Sequence, residues 1–152
     1  YTKEAGYCIV STAKRNGLRL IAVVMKESEP KVRNQEVSQL LDYGFSLYEN
    51  VILFKKDDII EKIPIENARQ KSVEVVCKED VVYVKDKSAQ DEVTYEMNYT
   101  NLVPPIKKGE TIGHILLMRS DVNIASFEVV SKDDIEALTL PEKMYNYFKA
   151  FV

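Results

Sequence analysis

The chain has 152 residues with 21 Lys and Arg, 24 Asp and Glu and one His, a net charge of −3. With 45% hydrophobic and 30% charged residues it has the balance of a folded protein able to bury a core. An acidic chain without a basic stripe argues against a nucleic-acid partner. One His and two distant Cys argue against a His-cluster metal site or a disulfide scaffold, and no metal or other cofactor is expected. No apolar run reaches the 18 or more residues of a membrane span. The first residue is Tyr, so the chain is expected to begin inside a longer protein or after processing.

Charge divides the chain. Residues 1–48 carry seven bases and five acids, residues 49–140 twelve and eighteen, and residues 141–152 two and one. Together with the change in pattern, this predicts three parts: 1–50, 51–138 and 139–152.

The first part reads strand, turn, strand, helix. Tyr7 to Ala13 is rich in β-formers, Asn16-Gly17 follows, and Leu18 to Met25 is nearly all apolar. Asn-Gly between two apolar runs predicts a type I′ hairpin, which needs φ > 0 at both central residues. The second run suggests a strand covered on both faces. Val37, Leu40, Leu41, Gly44, Phe45 and Tyr48 then recur at helical spacing. Pro30 suits the helix start, and Ser28 or Asn34 is expected to cap it. Such a small unit predicts an exposed apolar sheet edge, through Ile9, Leu20, Ala22 and Val24, open to self-association or a companion segment.

The second part reads as β throughout, with runs at Ile59–Ile65, Ser72–Val76, Val81–Val84, Val93–Tyr99, Thr111–Arg119 and Val122–Val130. Period-two alternation in Val93, Tyr95, Met97, Tyr99 and in Ile124, Ser126, Glu128 against Ala125, Phe127, Val129 predicts antiparallel sheets with one wet face. Lys107 to Glu110 and Ser120-Asp121 are the turn candidates. Short strands with frequent turns suggest a small sandwich or a partly open barrel. The third part opens at Thr139-Leu140-Pro141. Met144, Tyr147, Phe148 and Phe151 then recur at i, i+3, i+4 and i+7, one apolar helix face that either packs on its own domain or lies in a membrane interface.

Chemistry is sparse. Ser11 to Lys14 and Ser28 to Lys31 both match S-x-x-K. An offset of three places side chains on opposite faces of a strand, which removes the first pair, and capping is the better role for Ser28. Cys8 and Cys77 are expected to be buried thiols, and His114 a structural or surface residue. Asp57-Asp58, Glu79-Asp80, Asp91-Glu92 and Asp133-Asp134 are expected to be turn charges rather than a calcium site.

The order of these segments resembles one family, the low-molecular-mass penicillin-binding proteins that act as serine D-alanyl-D-alanine carboxypeptidases. Tyr1-Thr2-Lys3-Glu4-Ala5-Gly6-Tyr7-Cys8 resembles the stretch following its K-T-G motif. Gly17 to Met25 resembles the next strand, and Arg33, Glu36 and Leu40-Leu41-Asp42-Tyr43-Gly44-Phe45 its last helix. The Asn67-Ala68-Arg69 turn and Pro105-Ile106-Lys107-Lys108-Gly109-Glu110-Thr111-Ile112-Gly113 resemble its C-terminal β domain.

The resemblance implies an α+β chain. It would hold the edge hairpin and last helix of a penicillin-binding, transpeptidase-like domain, then a small antiparallel all-β sandwich domain and the start of a terminal amphipathic helix. It implies a parent enzyme that removes the terminal D-Ala of peptidoglycan stem peptides through an acyl-serine intermediate and is trapped by β-lactams. The nucleophile, its Lys and the K-T-G motif would precede Tyr1. This chain alone is then expected to hold no catalytic residue and to be inactive, with Tyr1 and Thr2 adjacent to substrate. Met144, Tyr147, Phe148 and Phe151 would begin an anchor on the outer face of the cytoplasmic membrane. The alternative is a non-catalytic β-sandwich that binds partners at the bacterial cell envelope.

Overall fold

The computed structural model describes residues 3–89, 92–100 and 102–149. It has nine strands and two helices among these residues, in two compact units. One unit comprises residues 1–51 with 82–90, the other 52–81 with 91–152.

In the first unit β1 (Tyr7–Arg15) and β2 (Leu18–Glu27) form an antiparallel hairpin with Lys14 opposite Arg19 and Arg15 opposite Leu18. Asn16 and Gly17 both take positive φ, 47° and 85°, as a type I′ turn demands. Helix α1 (Pro30–Leu47) covers one face of the hairpin. Ala22, Val24 and Val37 form its buried core, with Ile9 and Leu41 packed around them. Gly44 lets the helix close on Leu20, since a Cβ there would stand 2.6 Å from the Leu20 Cδ1. Arg15 pairs with Asp42 at 2.7 Å and lies 4.6 Å over the Phe45 ring. Lys87 caps the far end of α1, donating from its ammonium to the Phe45 carbonyl and from its backbone to that of Leu47, where the helix leaves carbonyls unpaired.

Three expectations change here. Ile9, Leu20, Ala22 and Val24 are not the exposed set, because period two turns all four toward α1. Val10, Ile21, Val23 and Met25 on the opposite face are the exposed ones. Neither Ser28 nor Asn34 caps α1. Glu29 holds the N-cap position without a side-chain cap, and the Asn34 side chain accepts from Arg33 inside the helix. Cys8 is exposed, its thiol donating to the Ala5 carbonyl, whereas Cys77 is buried as expected. Ser11 and Lys14 do fall on opposite faces of β1.

Strand β3 (Tyr48–Phe54), absent from the sequence reading, pairs with β6 (Val81–Asp86). The second unit is built on a five-stranded sheet in the order β4 (Ile59–Pro64), β5 (Ser72–Cys77), β9 (Val122–Ser131), β8 (Thr111–Arg119), β7 (Val93–Tyr99). Every pair in it is antiparallel. Its buried face carries Val73, Val75, Ile115, Leu117 and Val129, sealed by Ile106 and Ile135. Edge strands β4 and β7 meet across the open side, where the Tyr99 hydroxyl donates to Glu61 at 2.6 Å. The sheet therefore curls toward a half-barrel. Burial raises the Tyr99 phenol well above its ordinary pKa, and the Glu61 carboxylate raises it further.

The P-x-x-K-G-x-x-x-G stretch has a backbone reason. Gly109, at φ 79°, closes the turn into β8 and donates to the Ser131 carbonyl at 2.8 Å. A Cβ on Gly113 would stand 2.4 Å from the Asn98 carbonyl oxygen on the neighbouring strand, so β7 and β8 can approach only over a glycine. Gly113→Ala is expected to cost about 2 kcal/mol, read as a lower midpoint in urea unfolding. Gly109→Asn is expected to be milder, since its Cβ meets nothing within 4 Å and Asn tolerates positive φ.

Candidate functional site

The second unit ends in helix α2 (Leu140–Lys149). Thr139 and Glu142 fix its start. The Thr139 amide and hydroxyl both donate to Glu142 Oε2, each at 2.7 Å. This is the carboxylate half of a T-x-x-E capping box, legible in the sequence but not used there.

The turn holding Asn67 (φ 58°) positions the helix from below. Ala68 bridges Ala137, Arg69 donates its amide to the Glu136 carbonyl, and Leu138 donates to the Asn67 carbonyl. Arg69 then contacts Glu136 at 2.5 Å and, through Nε, Glu142 at 3.1 Å. Hydrogen bonds from Thr139, then the Arg69 guanidinium, hold the Glu142 carboxyl below its ordinary pKa, while Glu142 and then Glu136 raise that of Arg69.

This clamp decides which way α2 faces. At 100° per residue Glu142 lies roughly opposite Leu140, Met144 and Tyr147. Glu142 is tied to the unit, and the apolar stripe is turned outward. Leu140 is 78% exposed, Met144 60% and Tyr147 65%. A helix serving only its own core would bury that stripe. Tyr145, on the flank, shares an open cleft with Arg69, Leu138 and Pro141. No helix among the described residues is long and apolar enough to cross a membrane.

Of the residues singled out from sequence, Met144 and Tyr147 thus come together on one exposed face, joined by Leu140, which the periodicity had not included. Phe148 lies within α2. Phe151, Tyr1 and Thr2 lie outside the described residues. Arg69 and Glu142 are the site residues the sequence reading missed as a pair, because 73 positions separate them.

Elsewhere the acids largely organise turns. Asp58 and Asp80 accept from the Lys55 and Lys56 amides, each at 2.8 Å, and Asp134 from the Lys108 amide at 2.9 Å. Burial, then Asp58 and Asp80, push the Cys77 thiol up to about 11, so it is not a reactive thiolate. His114 stands half-buried beside Lys78 and Glu128 along an open polar groove. Glu74 bridges Lys132 and Lys62, each at 2.8 Å, which holds it down to about 2.

The curled antiparallel sheet with this glycine-dependent turn falls within a recognised class of domain. Residues 48–137 match the family described as penicillin-binding protein 5, C-terminal domain, and the chain belongs to that family. It is 33% identical over 138 residues to the D-alanyl-D-alanine carboxypeptidase DacF of Bacillus subtilis, covering 90% of this chain and 36% of that protein. It is 27% identical to DacA of Haemophilus influenzae over 97% of this chain and 38% of that one. Among solved structures it superposes on penicillin-binding protein 5 from Haemophilus influenzae with a TM-score of 0.72 and 28% identity, over 90% of this chain and 40% of that one. The chain thus spans less than two fifths of the length of these curated relatives.

Glu142 has a depressed pKa, so its contribution is present above the ordinary carboxylate range and is lost as pH falls through its lower folded value. Acidification is therefore expected to release α2 before the sheet unfolds, followed by amide exchange in α2 against that of Val75 and Leu117. Glu142→Gln removes the acid step. Arg69→Met speeds α2 exchange by about two- to fivefold at neutral pH, the range for a solvent-screened ion pair.

Proposed function

We propose that this chain is the C-terminal portion of a serine-type D-alanyl-D-alanine carboxypeptidase of the bacterial cell envelope. In the whole protein a Ser oxygen attacks the carbonyl carbon between the last two D-Ala residues of a peptidoglycan stem peptide. The terminal D-Ala leaves as the protonated amine, and water then cleaves the acyl-serine. β-Lactams would acylate the same Ser. Residues 1–50 would contribute the edge hairpin and last helix of the catalytic, transpeptidase-like domain, with Tyr1 and Thr2 near the substrate. Residues 51–138 would act as stalk, and residues 139–152 as the start of an anchor on the outer face of the cytoplasmic membrane.

The observation carrying the anchor is the orientation of α2, which is clamped through Glu142 with its apolar stripe outward. Lys143 flanks that side, and aromatics with Lys suit the lipid–water interface. Support for the enzyme comes from the family match and from relatives named as carboxypeptidases over nearly the whole of this chain. The exposed face of Val10, Ile21, Val23 and Met25 would pack inside the catalytic domain of the whole protein, and in the isolated chain it would drive self-association.

The 152-residue chain is expected to form no covalent adduct with a fluorescent penicillin, whereas the protein carrying its upstream domain labels one-to-one. An adduct on this chain overturns the assignment. Met144→Asp combined with Tyr147→Asp is expected to weaken sedimentation with lipid vesicles more than tenfold, since each apolar side chain moved out of water contributes about 1.5–3 kcal/mol. Unchanged sedimentation removes the anchor.

A further inference from the structure

The loop between β7 and β8 comes to the same end of the second unit as α2. Leu102, Val103 and Pro104 line an open cleft of about 550 Å³ together with Lys143 of α2 and Glu66. Val103 is 73% exposed, comparable with Leu140 on the helix. The base of the loop is fixed, with Ile106 and Ile135 exchanging backbone hydrogen bonds of 3.0 and 2.8 Å and Ile106 fully buried. An apolar side chain is thus held out in water by a braced segment, next to a helix that turns its own apolar side outward.

We propose that the Leu102-Val103-Pro104 loop is a second lipid-contacting element, entering the same bilayer interface as α2, with the Lys143 ammonium in the cleft meeting a phospholipid phosphate. The proposal rests on the anchor reading of α2 and extends it from one helix to a two-point footing. The partner is a lipid surface rather than a protein for two reasons. Stable protein partners bury about 800 Å² per side in a complementary patch, whereas here separate apolar points flank an open cleft, which a fluid interface accommodates. The charges lining the cleft are one cation and one acid, the pair that a zwitterionic headgroup carries. Glu142 is engaged by Arg69 and Thr139, Lys143 stands in the cleft, and Glu66 is the acid that shares it. A one-helix anchor can roll about its axis, and a braced second contact fixes the tilt of the unit on the membrane.

The chain has no Trp, so single insertions report their own surroundings. Val103→Trp, Leu140→Trp and Val122→Trp, the last beside the β8–β9 turn, are each made in the full chain. They are mixed with vesicles of equal parts phosphatidylglycerol and phosphatidylethanolamine. Blue-shifted emission and quenching by brominated lipid are expected at positions 103 and 140 and not at 122. In parallel, Val103→Asp is expected to weaken vesicle partitioning about tenfold, and Lys143→Ala about fivefold. A shift at 140 alone, with Val103→Asp binding normally, overturns the loop contact and leaves the helix anchor standing. No shift at either position overturns both. Equal shifts at all three mean non-specific adsorption and overturn the proposal as well.

Discussion

The functional end of this molecule depends on the contact of Arg69 with Glu142. The contact is a half-exposed ion pair and contributes little to stability. What it decides is direction. Glu142 sits nearly opposite Leu140, Met144 and Tyr147 on α2, so tying the carboxylate to the sheet unit turns the apolar stripe to the outside. The same guanidinium holds Glu136, and the Arg69 backbone holds the segment leading into the helix. The clamp is therefore built before the helix begins, and Thr139 completes it by donating twice to Glu142.

A second constraint shapes the sheet that carries the clamp. Gly109 and Gly113 are the positions where the backbone either turns left-handed or meets its neighbour too closely for a side chain. With β7 drawn onto β8 over Gly113, the sheet curls until Tyr99 reaches Glu61 across its edges. The stalk proposed for this unit needs that closure, because a flat sheet would leave two long edges open to pairing.

The two units use the period-two rule in opposite ways. In the five-stranded sheet one face is sealed as a core. In the hairpin α1 takes one face and leaves Val10, Ile21, Val23 and Met25 in water. Such a face costs solubility unless something covers it. That fits a unit which is one layer of a larger domain, whereas the second unit closes on itself.

Elements whose signals are local were legible before folding. Asn16-Gly17 set the hairpin turn, and alternation named the strands at Val93 to Tyr99 and Val122 to Val130, whereas the close approaches at Gly44 and Gly113 show only in the folded chain. Local signals failed where the deciding partner was remote. Strand β3 is recognisable as a strand only beside β6, and Ser28 lost the cap to a helix that begins at Pro30 without one. Hydropathy gave the hairpin two apolar faces, and only the docking of α1 chose between them. The orientation of α2 was undecided for the same reason. Periodicity fixes which residues share a face, but the direction in which that face points is set by charges 73 positions apart that meet only in the folded chain.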